Sequence, residues 1–198
     1  MVERLLCKQD VRSSNLLGST VSSLTGSRSH DSAFAPGAGV ARGPRRYSGG
    51  MDIRIAAYGV IIRDDEILLS HWHEHGRSGW TLPGGGIEGA EHPAVAARRE
   101  IFEETGYEAS VDRLLGIDTM VVPAAKRHSG SVPLYAMRVV YRASVVGGTL
   151  RNEVGGSSDE ARWFPLSEVP NLKRVSLLDI ALRLNQAEPA DGIPPVTP

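Results

Sequence analysis

The 198-residue chain carries 22 Lys/Arg against 23 Asp/Glu, a net charge of −1, so no overall positive field draws it to nucleic acid or an anionic membrane. Its single cysteine, Cys7, excludes an intrachain disulfide framework and a Cys-based zinc site, and fits a reducing, cytoplasmic setting. At 41% hydrophobic residues one domain with one core is the expectation, and no apolar run approaches the roughly 18–20 residues that span a bilayer, so the chain reads as soluble.

Residues 1–50 hold nine Ser, seven Gly, seven Lys/Arg and three Asp/Glu, with no sustained hydrophobic periodicity after Leu24. Such a segment buries too little apolar surface to offset its ordering entropy and reads as a disordered extension. It leaves 15 basic and 20 acidic residues to 51–198. Three explanations stay open. The stretch is Arg-rich, Ser-rich and acid-poor up to Arg45-Arg46-Tyr47-Ser48, like a mitochondrial transit peptide. It is equally an ordinary solvated tail, or an upstream stretch ahead of a true start at Met51.

From 51 onward, Ile53 to Ile62 is rich in β-branched residues and bounded by Asp64-Asp65, which predicts a strand turning into Ile67–Ser70 as a hairpin. Trp80-Thr81-Leu82 runs into Pro83-Gly84-Gly85-Gly86, read as loop. His92-Pro93 opens a helix with proline in its first turn, and Gly106 closes it. Strand material follows at Val111–Val122 and Pro133–Val146, separated by a loop at Arg127–Gly130. A short strand at Glu160–Phe164, an amphipathic helix over Ser176–Gln186 and a Pro-rich tail at 188–198 complete the chain. This order predicts an α+β fold rather than an alternating parallel sheet.

On the helix from Ala94 to Thr105, successive residues rotate by roughly 100°. Ala94, Val95, Ala97, Ile101 and Phe102 fall in one sector. Glu100, Glu103 and Glu104 fall in another, with Arg99 at its border. Like charges at this spacing destabilise a helix by about 0.2–0.5 kcal/mol per pair, so a positive partner is expected there. Hard carboxylate oxygens suit Mg²⁺, which binds through a few carboxylates, retained waters and substrate phosphates. The adjacent glycines at 84–86 let backbone approach such an ion or a phosphate closely. A Glu-rich face is also what a solvated surface looks like, and the glutamates alone do not separate the two readings.

The wider spacing does. Gly85, five residues, Glu91, seven residues, then Arg99-Glu100-Ile101-Phe102-Glu103-Glu104-Thr105-Gly106-Tyr107 resembles the Nudix box in full, with Tyr107 where the family has an aliphatic residue. Trp80-Thr81-Leu82-Pro83-Gly84 and Glu160-Ala161-Arg162-Trp163-Phe164-Pro165-Leu166 also resemble the family. The likeness covers about residues 53–186, and the domain is expected at 51–187. It implies a mixed β-sheet sandwiched between helices and hydrolysis of a diphosphate linkage in a nucleoside diphosphate derivative. The implied cofactor is Mg²⁺, with Mn²⁺ able to substitute.

Carried over by position, Glu100 and Glu104 are the principal metal ligands. Glu103 is a further ligand or the water-activating base, and the Gly84 carbonyl completes the shell. Arg99 holds the carboxylates, Glu91 braces the loop–helix junction and Gly106 ends the helix. Gly85 and Gly86 line the substrate loop. Glu153 and Glu160 are candidates for a base outside the box. The partner is a small nucleotide, with no nucleic acid or membrane partner and a homodimer left open.

Other residues carry weaker signals. His71, His73 and His75 alternate as metal ligands on one strand face do, although a solvated loop explains them as well. Trp72 and Tyr135 are candidates to stack on a base, and Arg127 and His128 to touch phosphate, whereas Trp80 and Trp163 read as packing. Pro123 lies 16 residues after Tyr107, near a proline position that the resemblance links with ADP-ribose substrates. Oxidised nucleoside triphosphates remain an alternative substrate class. A catalytically silent nucleotide-binding module on the same fold is the other reading, but such a relic is expected to have lost acidic positions that this chain keeps.

Overall fold

A computed structural model describes residues 50–195 except 75, 128 and 129. The readings for residues 1–49, His75, His128 and 196–198 lie outside the described residues.

Among the described residues, two four-stranded sheets form the framework. The first runs β5 (Gly84–Gly86), β1 (Asp52–Val60), β7 (Leu134–Gly148), β6 (Tyr107–Val122), with β1 parallel to β7 and the other neighbours antiparallel. In the second, β3 (Glu66–Glu74) pairs with β2 (Ile62–Arg63), β4 (Arg77–Thr81) and β8 (Ser158–Pro165), all antiparallel. Side chains alternate across each sheet, and this sorts the core. On one face Ala57, Val139 and Tyr141 pack on Ala96 and Ala97 of helix α1 (Pro93–Thr105), and Leu68 joins Ile101. On the other, Val60, Val140, Ile67, Leu69 and Phe164 meet Leu177, Leu178, Ala181 and Leu184 of α2 (Ser176–Ala187). The fold is α+β, with sheets between two helices.

The first hairpin is shorter than the sequence implies. Only Ile62–Arg63 turns back onto Glu66–Ile67, with Asp64 and Asp65 at positive φ of 50° and 60°. Residues 52–60 leave for the other sheet, because Ile53, Ile55, Ala57 and Gly59 find partners at Tyr135, Met137, Val139 and Tyr141. The three glycines at 84–86 are a strand, not a loop, registered against Tyr58, Ala57 and Ala56. Glycine is needed there for closeness: a Cβ on Gly84, at φ 146°, would lie 2.6 Å from the Tyr58 Cα.

Helix α1 has the ends its sequence announces. His92 caps it, its Nδ1 accepting from the Ala94 N–H at 3.1 Å, and Gly106 closes it at φ 75°, donating to the Phe102 carbonyl. Its inner face differs from the apolar sector. Val95 and Phe102 are half exposed, whereas Glu100 and Glu104 are 6% and 1% exposed. The side that meets the sheets is therefore Ala96, Ala97, Glu100, Ile101 and Glu104, so two carboxylates enter the interior on the same arc as the apolar anchors.

Candidate active site

The buried carboxylates meet the glycine strand. Glu104 accepts from the Gly84 N–H at 3.0 Å through one oxygen and from the Ser158 hydroxyl at 2.8 Å through the other. Glu100 lies so close to Gly85 that a Cβ there would stand 2.5 Å from its carboxyl carbon. Only a strand without side chains lets the helix come this near.

Arg99 ties the rest together. Its guanidinium donates to Glu91 at 2.7 and 3.3 Å, to the Gly86 carbonyl at 3.0 Å, and to Glu100 and Glu103 at 3.1 Å each. Glu91 also accepts from the Glu88 N–H at 2.8 Å, closing the loop that leads into α1. One arginine thus bridges three glutamates and pins the end of β5. The hydrogen bond from Arg99 holds the Glu91 carboxyl below the usual carboxylate range, and the same pairing pushes the guanidinium up. Burial pushes Glu103 above that range, with Arg99 opposing it.

A cleft opens beside Glu104, lined by Arg54, Tyr58, Trp72, Thr81, Gly84, Glu104 and Ser158. Glu104 from α1's inner arc and the Gly84 backbone face a concavity with an aromatic wall, an arrangement suited to a charged, partly apolar ligand.

The NUDIX domain family matches residues 53–182. The chain belongs to that family.

Among NUDIX relatives, it is 33% identical to the ADP-ribose pyrophosphatase of Methanocaldococcus jannaschii over 60% of this chain and 65% of that one. The chain therefore spans less than two thirds of that relative's length. It is also 33% identical to the Mycobacterium tuberculosis protein designated MutT4, over 79% of this chain and 68% of that one. Among solved structures, the MutT NUDIX hydrolase from Burkholderia pseudomallei superposes with a TM-score of 0.55 at 28% identity, over 68% of this chain and 98% of that one.

Within the NUDIX motif the structure brings Gly84, Gly85, Gly86, Glu91, Arg99, Glu100, Glu103 and Glu104 into one connected cluster. Gly106 caps the helix that carries them. Glu153 lies beside it: its carboxylate accepts at 3.0 Å from the N–H of Ser158, the same serine whose hydroxyl holds Glu104. Glu160 is turned elsewhere. It pairs with Arg162 at 3.7 Å, and Arg162 lies over the Phe164 ring on the α2 side.

Of the residues outside the motif, Trp72 does wall the cleft, whereas Tyr135 does not line it. Arg127 is committed to Asp52 at 2.6 Å and to the Val132 carbonyl, which takes it away from a phosphate role. His71 pairs with Asp159 at 2.6 Å and stands against Trp80, on the α2 side. The metal reading of the alternating histidines has no support among the described residues. Arg54, Tyr58, Thr81 and Ser158 were not legible as site residues, because each reaches the cleft by a strand pairing that local sequence does not encode.

The donor set suits a hard divalent cation: carboxylates on successive turns, two of them buried beside bare backbone. No three acidic or histidine side chains converge on one point among the described residues, since Glu104 is turned to Gly84 and Ser158 and Glu103 to Arg99.

Proposed function

We propose that the chain is a Mg²⁺-dependent pyrophosphohydrolase that cleaves a diphosphate linkage in a nucleoside diphosphate derivative. The observation that carries this is the burial of Glu100 and Glu104 against the glycine strand, with Glu104 lining an open cleft. Both carboxylates are partnered, Glu100 by Arg99 and Glu104 by the Gly84 N–H and the Ser158 hydroxyl, and two carboxylate side chains held beside bare backbone are the kind of oxygen donors a hard divalent cation takes. The relatives support the substrate class, one being named an ADP-ribose pyrophosphatase, so ADP-ribose-like compounds and nucleoside triphosphates, oxidised ones included, are the first candidates.

In this reading Glu100 and Glu104 hold Mg²⁺, or Mn²⁺ in its place, with Glu103 and the Gly84 carbonyl completing the shell. Bound there, the ion offsets negative charge on phosphoryl oxygens and lowers the pKa of a coordinated water. Arg99 keeps Glu100 and Glu103 from repelling one another and fixes β5 through the Gly86 carbonyl. Glu103, the most exposed of the three, joins the shell or takes a proton from the attacking water at the oxygen that Arg99 leaves. Trp72 and Tyr58 exclude water on one side and give the nucleoside an apolar wall.

The test is full-length protein against a panel of nucleoside diphosphate derivatives, with Mg²⁺ and with EDTA. Metal-dependent release of nucleotide supports the reading, and metal-independent release overturns it. A folded protein that binds nucleotides but turns none over is instead the silent binding module. Glu104→Gln keeps an acceptor for the Gly84 N–H and a donor for Ser158, so the fold survives. It should lower kcat by roughly 10²–10³, as expected for losing one preorganised charge-stabilising group.

A further inference from the structure

Ser158 is 3% exposed, and its hydroxyl donates to Glu104 at 2.8 Å. An irregularity in β8 puts it there. The β3–β8 ladder sets His71 opposite Glu160 and then Trp72 opposite Ser158, so Asp159 is an extra residue bulged out of the pairing. Residues directly opposite one another share a sheet face, and Trp72 walls the cleft that Glu104 lines. In an unbroken register Asp159 would stand opposite Trp72 and set its carboxylate on the face that Glu104 meets. The bulge instead turns Asp159 to His71, at 2.6 Å, and brings a neutral donor to Glu104.

The serine is itself held from the loop before it. Its N–H donates to the Glu153 carboxylate at 3.0 Å, and the neighbouring Ser157 carbonyl accepts from the His73 N–H at 2.9 Å. The Glu153 carboxylate lies across Gly156 and leaves no room for a Cβ there, so the loop folds onto this side chain. At its other end the loop grips helix α1. The Arg151 N–H donates to the Thr105 carbonyl at 2.9 Å, and its guanidinium lies 4.8 Å from the centre of the Phe102 ring. Residues 151–158 thus clasp the last turn of α1 by a carbonyl, a ring and the Glu104 side chain.

We propose that Ser158 is a positioning residue for Glu104, and that Glu153 acts through Ser158 rather than on the attacking water. A carboxylate that serves a hard cation needs an outer partner to fix its orientation, and such partners govern metal affinity. A hydroxyl suits the place because it donates without bringing charge, so the charge of Glu104 is kept for a cation. Glu153 supplies the acceptor that fixes the serine, a task that an uncharged amide performs equally well. The inference rests on the metal-dependent reading and assigns the support of its buried ligand.

Mn²⁺ binding to the full chain without substrate, followed by the paramagnetic resonance of the free ion, reads the ligand directly rather than through turnover. Ser158→Ala should weaken binding roughly 10–100-fold, and Ser158→Thr, which restores the hydroxyl, should return it to within about threefold of wild type. Glu153→Gln keeps an acceptor for the Ser158 N–H and should bind Mn²⁺ as wild type does, whereas Glu153→Ala should bind it more weakly. Unchanged affinity in Ser158→Ala, or a loss that Ser158→Thr does not recover, overturns the positioning role. So does a Glu153→Gln protein that binds Mn²⁺ normally but loses kcat roughly 10²-fold or more, the mark of a base acting on water. If Ser158→Ala fails to fold, the two Glu153 variants decide, and equal affinity in both overturns the proposal. Metal-dependent turnover by wild type, with all variants binding Mn²⁺ alike, keeps the hydrolase and removes the clasp. A wild-type protein that neither binds Mn²⁺ nor needs a metal removes the hydrolase reading, and the clasp with it.

Discussion

At the scale of single residues, Gly85 separates stability from function. The three atoms nearest a methyl group there all belong to the Glu100 carboxylate, the far end of a flexible side chain, which would have to shift to admit it. Moving that carboxylate disturbs its hold on Arg99 and the geometry offered to a cation. Gly85→Ala should therefore shift the melting temperature by only a few degrees while lowering metal-dependent turnover roughly 10–100-fold, the range for disturbed support of a metal ligand. A large loss of stability with normal turnover would contradict this account. Residue identity announced much of this neighbourhood, because the spacing from Gly85 to Tyr107 lies within 23 consecutive positions. Ser158 gave no such signal. A serine at the start of a short strand is unremarkable until β8 is paired with β3 and brought beneath Glu104.

At the scale of elements, helix α1 and the turn before it act as one unit through Glu91. The Arg99 hydrogen bond holds the Glu91 carboxyl below its ordinary pKa, so the folded state binds this proton more weakly than the unfolded chain does. The resulting stability is fully present above the ordinary carboxylate range, roughly pH 4.3, and is lost as pH falls below it through the depressed folded value. Glu91→Gln should then be less stable than wild type at neutral pH, and the gap should narrow on acidification, as denaturant midpoints measured between pH 7 and pH 3 would record. A constant gap would show that the carboxylate charge contributes nothing at this junction. The boundaries of α1 were readable because capping is local: His92, Pro93 and Gly106 all sit within its own ends. The nature of residues 84–86 was not, because glycine composition indicates a loop and only pairing with β1, nearly thirty residues earlier, makes them a strand. The inner face of α1 was also misjudged by apolarity alone. Glu100 and Glu104 are buried by the site, while Phe102 faces outward under Arg151.

At the scale of the molecule, the segment after α2 is joined to the sheets. The Ile117 N–H bonds the Gly192 carbonyl at 3.0 Å, and a Cβ on Gly116 would stand 2.7 Å from a Leu184 methyl and against that same carbonyl. Gly116→Val should lower stability by about 1–3 kcal/mol, the usual result of overpacking, and should loosen residues 189–193, measurable as faster amide exchange at Ile117. The α+β order was legible in the alternation of patterns, but the division into two sheets was not, since it depends on which strands meet across long separations. The strand order has a consequence for how the protein is made. Among the described strands β1 comes first, yet it sits inside its sheet, between β5 and β7, and its parallel partner begins about eighty residues later. At about 5–20 residues per second, translation leaves β1 without that neighbour for roughly 4–16 s. Throughout that interval an isoleucine-rich strand emerges from the ribosome with one edge unclaimed, so the chain's greatest exposure to aggregation falls during its synthesis rather than in its finished state.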